Sequence, residues 1–327
     1  MLISVVIPAH NRPALLLEAL RSVAAQSYSD FEAVVIDDGS DPPISQAALT
    51  DVLGSRVVLH RHDTPQGVPK SKNAGVDAAR GEVILLLDDD DLLVPDALES
   101  IYQAFSSHPN IDCLFLGVRP FGPYAEGPTK NRETAVDRLL EQAKPEERNG
   151  LYFFSEDLFS ALLHTVPIDF QRPAARRGAW NIVGGFDESS LYSESAWAIR
   201  ASSIATVALT AKPLMEWRIH DSNFGWPADM DVEGIRRRQI VNSIDSGFAL
   251  MKTFDEQQRA SRLRARAIRK YQSNTLFSKA YSLCGKAWRE GMYALLCSFG
   301  LRPGLAHLKL AVKYLLPMCW TRKRMDH

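Results

Sequence analysis

Val83-Ile84-Leu85-Leu86-Leu87 runs directly into Asp88-Asp89-Asp90-Asp91. A short, uninterrupted apolar run bounded by polar residues reads as a central strand of a parallel sheet, buried on both faces. In open α/β sheets ligands sit beyond the carboxyl ends of the strands, and here that end carries four carboxylates. Adjacent anions repel one another unless a cation or a cationic ligand neutralises them, so the stretch points to a metal site. The competing reading is a solvated acidic turn feeding the helix that Pro95-Asp96-Ala97-Leu98 begins, because carboxylates suit helix N-termini.

Around this stretch, 327 residues with 46% hydrophobic content suffice for one large α/β domain and an appendage. Cys113, Cys284, Cys297 and Cys319 form no Cys-x-x-Cys pair and no zinc spacing, which predicts free thiols in a reducing compartment. Met1-Leu2-Ile3-Ser4-Val5-Val6-Ile7-Pro8 lacks a basic leader, and its apolar run is too short for a signal peptide, so it reads as the first strand. No apolar stretch approaches the roughly 20 residues of a membrane span. The expectation is a cytoplasmic protein, soluble or peripheral on the inner face of the cell membrane.

The net charge of −1 conceals an asymmetry. Residues 1–230 hold 19 Lys and Arg against 32 Asp and Glu, whereas residues 231–327 hold 19 against 7. An acidic body with a basic tail suggests two jobs.

Residues 1–118 alternate short β-branched runs with amphipathic stretches, the pattern of βαβ units and a largely parallel sheet. Strands are predicted at 3–7, 33–36, 57–59, 83–87 and 113–118. Between the first two, residues 13–25 place Leu16, Ala19, Leu20 and Val23 on one helical face, with Asn11 as N-cap and Pro13 near the first turn. Residues 119–150 are rich in Pro, Gly and charge and read as a loop with one helix at 134–142. Strands resume weakly at 165–220. Helices are then predicted at 234–254, 255–280, 288–299 and 305–316.

Three strand ends are polar: Pro8-Ala9-His10-Asn11-Arg12, Asp37-Asp38-Gly39-Ser40 and Asp88 to Asp91. On one edge of a sheet they make a shared cleft, although Asp37 and Asp38 would equally cap a tight turn through Gly39. Between them lies Gly67-Val68-Pro69-Lys70-Ser71-Lys72-Asn73-Ala74-Gly75, two lysines at a helix start, which suits a phosphate-bearing ligand or a solvated basic turn. No G-x-G-x-x-G follows strand one and no Walker loop is present, so dinucleotide and P-loop readings lose their specific support.

The order Ser4-Val5-Val6-Ile7-Pro8-Ala9-His10-Asn11-Arg12, Val35-Ile36-Asp37-Asp38-Gly39-Ser40, Lys72-Asn73-Ala74-Gly75 and Leu86-Leu87-Asp88-Asp89-Asp90-Asp91 strongly resembles family 2 glycosyltransferases. The resemblance covers roughly residues 2–118 and, more weakly, runs to about 221. It implies the GT-A fold, a Rossmann-like, mostly parallel central sheet flanked by helices. It also implies nucleotide-sugar contacts from Pro8, Ala9, Asn11, Arg12, Asp38, Lys72, Asn73, Asp88, Asp89 and Asp90. In that family the residue matching Asp38 contacts the base, and the D-x-D matching Asp88-Asp89-Asp90 contacts the ribose and a divalent cation on the diphosphate. Carboxylate and phosphate oxygens suit Mn²⁺ or Mg²⁺, with Asp90 the first choice of direct ligand and Asp88 and Asp91 as supporting partners.

Further on, Gly184-Gly185-Phe186-Asp187-Glu188 resembles the family's G-G-F-D-E segment. The family then usually shows Glu-Asp at a helix start, where one carboxylate acts as general base on the acceptor hydroxyl. This chain reads Tyr192-Ser193-Glu194-Ser195-Ala196-Trp197-Ala198-Ile199-Arg200, with one carboxylate where two are expected. Counting back from Arg200 puts Glu194 at the base position, and counting forward from Phe186 leaves Ser195 there. A Glu within reach can deprotonate a hydroxyl and a Ser cannot unaided, so Glu194 is the expected base. Pro213-Leu214-Met215-Glu216-Trp217-Arg218-Ile219-His220 resembles the family's closing strand, which implies His220 as a cation or diphosphate contact and Arg218 as a phosphate partner. Arg172, Arg176 and Arg177 are candidates for the same cleft, or for a solvated basic helix.

In the tail, Arg236-Arg237-Arg238, Arg259, Arg262, Arg264, Arg266, Arg269 and Lys270 precede apolar pieces with Trp288, Tyr293, Leu295, Leu296, Leu308, Leu310, Leu315, Leu316 and Trp320. Apolar stretches interleaved with cations suit an interfacial helix on an anionic bilayer, and equally an appendage packed on its own domain or a second subunit. Nucleic-acid binding is not expected, because the body is acidic and no recognition motif appears.

The sequence thus predicts a GT-A domain over 1–230, with a nucleotide-sugar half at 1–118 and an acceptor half at 119–230, followed by a basic helical extension at 231–327. The resemblance implies inverting, metal-assisted transfer from a nucleoside-diphosphate sugar, a UDP-sugar first, to a glycan or lipid-linked acceptor in bacterial surface polysaccharide or lipid-linked glycan assembly. A non-catalytic nucleotide-sugar-binding scaffold and a nucleotidyltransferase are the alternatives.

Overall fold

The computed structural model describes residues 1–163, 165–188, 193–220, 262–283, 287–301 and 303–315. The chain divides into two compact units, 1–227 and 228–327. In the first, the β-branched runs become β1 (Ile3–Ala9), β2 (Phe31–Asp37), β3 (Val57–Arg61) and β4 (Val83–Leu86), all mutually parallel in the order β3-β2-β1-β4. Leu87, predicted within the last of these, still donates to the Val6 carbonyl at 3.0 Å before the chain turns into the Asp run. Val83 to Leu87 are wholly buried, as a strand covered on both faces requires.

Beyond β4 the sheet is mixed. The short β9 (Pro173–Arg176) pairs antiparallel with both β4 and β6 (Cys113–Phe121), and β6 pairs in parallel with β10 (Val207–Arg218). The antiparallel pair β7 (Glu146–Arg148) and β8 (Leu151–Phe153) closes that edge, while β5 (Leu92–Leu93) pairs with β10 off the main path.

Helices cover the sheet. α1 (Pro13–Ala24) buries Leu16, Ala19, Leu20 and Val23, the face its sequence predicted. α2 (Gln46–Leu53), α3 (Val68–Ala78) and α4 (Ala97–Ser107) follow the first strands. Asn11 does not cap α1: the N-cap position is Arg12, without a side-chain cap bond. Asn11 instead sits at φ +54°, accepts from the Asp41 amide and donates its own amide to Ser40, tying the end of β1 to the turn after β2. α5 (Glu126–Ala143) begins eight residues earlier than the predicted 134, because Pro128 falls in the first turn, where a missing N–H costs nothing. α6 (Asp157–Leu162), α7 (Arg177–Val183) and α8 (Ser193–Ile204) complete this unit.

The second unit contains α9 (Arg262–Leu283), α10 (Trp288–Leu301) and α11 (Leu305–Leu315), packed around Ala280, Ala294, Leu295 and Leu310. The helix predicted at 234–254 lies outside the described residues, as do Cys284 and Cys319. Cys113 is buried and Cys297 half-buried, both as free thiols. Among the described residues no helix is long and apolar enough to cross a membrane.

Candidate active site

The parallel quartet brings the ends of β1, β2 and β4 to one edge. Pro8 and Ala9 end β1, where the Ala9 carbonyl accepts from the Asp38 amide at 2.8 Å. Asp37 is fully buried and caps its own loop, accepting from the amides of Ser40 (2.8 Å) and Ile44 (3.1 Å) and from Arg61. Asp38 accepts from the amides of Gln66 and Gly67, each at 2.8 Å, and lies 2.7 Å from His62 Nδ1. Burial opposes these bonds, but they prevail and hold both carboxyls below their usual range. His62 was not singled out in the sequence. It becomes visible only when β3 is laid beside β2.

At the end of β4 the four aspartates separate by environment. Asp88 faces Lys72 Nζ at 2.7 Å and accepts from Arg172. Asp89 and Asp90 accept from Arg12 Nη1 at 3.2 and 2.7 Å. Asp91, fully buried, accepts from Arg172 at 3.2 Å and from the Arg218 amide at 3.0 Å. Burial would raise Asp88, yet Arg172 and Lys72 overcome it and hold its carboxyl well below the ordinary range. For Asp89, burial and the neighbouring Asp90 prevail and push it up to about 7. Burial likewise raises Asp91 to about 7 against the pull of Arg172.

Arg12, Lys72 and Arg172 therefore answer much of the repulsion that the bare sequence assigned to a divalent ion. The donor set still fits one. Asp88, Asp90 and Asp91 each offer a carboxylate oxygen within 4.8 Å of the others, and hard oxygen ligands suit Mg²⁺ or Mn²⁺. His220 Nε2 lies 3.2 Å from Asp90 Oδ2. Arg218 donates from Nε to the Asp90 carbonyl at 2.9 Å and from Nη2 to Glu18 at 2.6 Å. Of the three nearby arginines only Arg172 enters the cluster: Arg176 donates to the carbonyls of Phe105 and Ile111, and Arg177 to those of Ala79 and Gly81.

Lys72 and Asn73, read from sequence as nucleotide-sugar contacts, face the second half of the unit. Lys72 is fully buried, with Nζ 2.7 Å from Asp88 Oδ1 and 2.7 Å from Glu194 Oε1. Asn73 receives the Phe186 amide at 2.8 Å and donates to the Phe186 carbonyl and to Glu188, each at 3.0 Å. Glu194 stands in the first turn of α8, where the helix dipole favours a carboxylate. Three residues on, the buried Trp197 fixes the helix: its ring lies 4.4 Å from that of Trp180, and its Nε1 donates to the Gly184 carbonyl at 2.8 Å. Glu194, and not Ser195, is thus the side chain bonded into the Asp cluster through Lys72.

Residues 4–161 match the model of glycosyl transferase family 2. An uncharacterized glycosyltransferase of Haemophilus influenzae is 28% identical over 144 residues, 42% of this chain and 48% of that protein. The chain thus spans about half the length of that curated relative. Among solved structures, Staphylococcus aureus TarS 1–349 in complex with UDP aligns with a TM-score of 0.56 at 16% identity, covering 96% of this chain and 89% of that one. The mannosyltransferase PcManGT of Pyrobaculum calidifontis, in complex with GDP-Man and Mn²⁺, aligns with a TM-score of 0.57 at 15% identity, covering 98% and 81%. At such identities these neighbours speak for the fold, a mixed, mostly parallel sheet flanked by helices. The family match falls on the segment that carries β1, the Asp38 turn, Lys72 and the Asp run, and over that segment the chain is similar to glycosyl transferase family 2.

Proposed function

We propose that this chain transfers a sugar from a nucleoside-diphosphate sugar to an acceptor hydroxyl, with inversion at the anomeric carbon. The observation that carries the reading is the joining of Asp88 to Glu194 through one buried lysine, which sets the Glu194 carboxylate beside the acidic cluster at the strand ends. The UDP held by TarS 1–349 and the GDP-Man held by PcManGT support the donor class. Glu194 takes the proton of the acceptor hydroxyl as its oxygen bonds to the anomeric carbon. The bond from that carbon to the diphosphate oxygen breaks, and its electron pair leaves with the nucleoside diphosphate; one displacement inverts the centre. Asp90, with Asp88, Asp91 and His220, would hold a Mn²⁺ or Mg²⁺ ion, whose chemistry there is to neutralise charge gathering on the departing diphosphate. Arg12 and Arg172 carry fixed positive charge in the same place.

We further propose that the basic helical unit rests on an anionic membrane, so that the acceptor is a lipid-linked glycan or a nascent surface polysaccharide. Support comes from Tyr293, Leu296, Leu305 and Leu308, which are 72%, 63%, 78% and 54% exposed, beside the exposed cations Arg269, Lys270, Arg289 and Lys309.

The test is thermal stability against a panel of nucleotide sugars, each with Mn²⁺ and again with EDTA. A ligand at about 100 times its dissociation constant stabilises the fold by about 2.7 kcal/mol, and one donor is expected to give such a metal-dependent shift and then to be turned over. Binding of every active-site donor class without any turnover would favour the scaffold reading, which the single carboxylate at 194–195 and its pairing with Lys72 also support. No shift with any donor would overturn both.

A further inference from the structure

We infer that Lys72 is the positioning residue of the base: its ammonium fixes Glu194 Oε1 against Asp88, so that Glu194 Oε2 is turned to the acceptor hydroxyl. The inference rests on the reading of Glu194 as base and adds to it how that base is set relative to the donor.

A lysine in the first turns of a helix beside a nucleotide cleft would be expected to reach for phosphate. Lys72 does not. It is wholly buried and spends its charge on two carboxylates at 2.7 Å each, one from the end of β4 and one from α8. A buried ammonium is tolerated only when paired, and here both partners belong to the proposed chemistry. Lys72 is flanked by contacts that hold its helix to the same two places. Two residues before α3 and at its N-cap, the amides of Gln66 and Gly67 donate to Asp38. One residue after Lys72, Asn73 brackets the backbone of Phe186, and the same turn is held to α8 by Trp197 donating to the Gly184 carbonyl and Arg200 to the Gly185 carbonyl. α3 thereby joins the Asp38 turn to α8. The 184–188 turn fixes the backbone of α8, and Lys72 fixes the carboxylate that it carries.

Lys72→Met and Lys72→Arg separate this role from phosphate binding. If Lys72 acts through Glu194, Lys72→Met lowers kcat about 100-fold, the scale of loss when a reacting group is misplaced, and leaves the dissociation constant of the nucleoside diphosphate, measured by calorimetry with Mn²⁺, within about 2-fold. The double variant Lys72→Met/Glu194→Gln is then no slower than Glu194→Gln alone, because residues acting as a unit are not additive. Lys72→Arg, which keeps the charge should the Met variant fail to fold, recovers part of kcat at unchanged KM for donor. Independent multiplication of the two losses, or a nucleoside diphosphate affinity that falls along with kcat, overturns the inference and leaves Glu194 as base. Full turnover in Glu194→Gln overturns the base assignment itself, and the inference with it.

Discussion

Asp89 and Asp91 sit one residue apart from Asp90 on either side, and burial, with charge from their neighbours, lifts both to about 7. Asp88 goes the other way under Arg172 and Lys72. The consequences for stability have opposite signs. A carboxyl raised in the folded state keeps a proton that the unfolded chain has already released above about pH 4, so unfolding becomes easier as pH rises from there through about 7. A carboxyl held low stabilises the fold above about pH 4 and withdraws that support as the pH falls through the acid range. In EDTA, the melting temperature is therefore expected to decline between pH 5 and 7. Asp89→Asn removes one of two similar titrations and is expected to cut that slope by about half, measured by scanning calorimetry at constant ionic strength. An unchanged slope would mean that Asp89 is ionised throughout and that Arg12 governs it.

α3 is the element on which the site depends, and its fit is decided by one glycine. A Cβ on Gly75 would fall 2.2 Å from Val6 Cγ1 and 3.3 Å from Ile36 Cγ1, so the helix lies on β1 and β2 closer than any side chain permits. Gly75→Ala is expected to destabilise the fold by about 1–3 kcal/mol through overpacking. By contrast, a Cβ on Gly127 in α5 meets nothing within 4 Å, and Gly127→Ala is expected to be neutral or to gain up to about 1 kcal/mol. Urea unfolding of the pair checks both, and equal effects would refute the close approach. This contrast also marks what a sequence can disclose. The strand cores, the α1 face and the acidic strand end were legible because each is a local pattern of period or composition. Lys72 to Glu194 spans 122 residues and Arg172 to Asp88 spans 84, and no local pattern announces such a pairing. Residues 119–150 were under-read because Gly127 and Pro128 look like loop residues until they are seen in the first turn of a helix. Asn11 looked like an N-cap by type, whereas its backbone is left-handed and its side chain serves another turn.

The division of charge between the two units bears on the proposed docking of the helical unit on a membrane. Residues 231–327 carry 19 cations against 7 anions, and each basic residue near an anionic bilayer is worth about 1 kcal/mol. The acidic residues 1–230 would be repelled by the same surface, so the basic helical unit is the part of the chain that charge draws to lipid. Charge is not the only contribution. Tyr293 and Leu296 stand on successive turns of α10, and Leu305 and Leu308 on successive turns of α11, all exposed. Burying such side chains at an interface adds stabilisation that salt does not screen. Flotation should therefore recover the protein with phosphatidylcholine vesicles that contain phosphatidylglycerol and not with phosphatidylcholine alone, and raised salt should weaken the association without abolishing it. Leu296→Asp/Leu308→Asp is expected to remove the salt-resistant part while leaving the donor-induced thermal shift intact, since both positions lie outside the proposed donor site. If this variant floats as well as the wild type at high salt, the apolar face of α10 and α11 serves another partner, and a concentration-dependent oligomer in the wild type alone would identify that partner as a second copy of the chain.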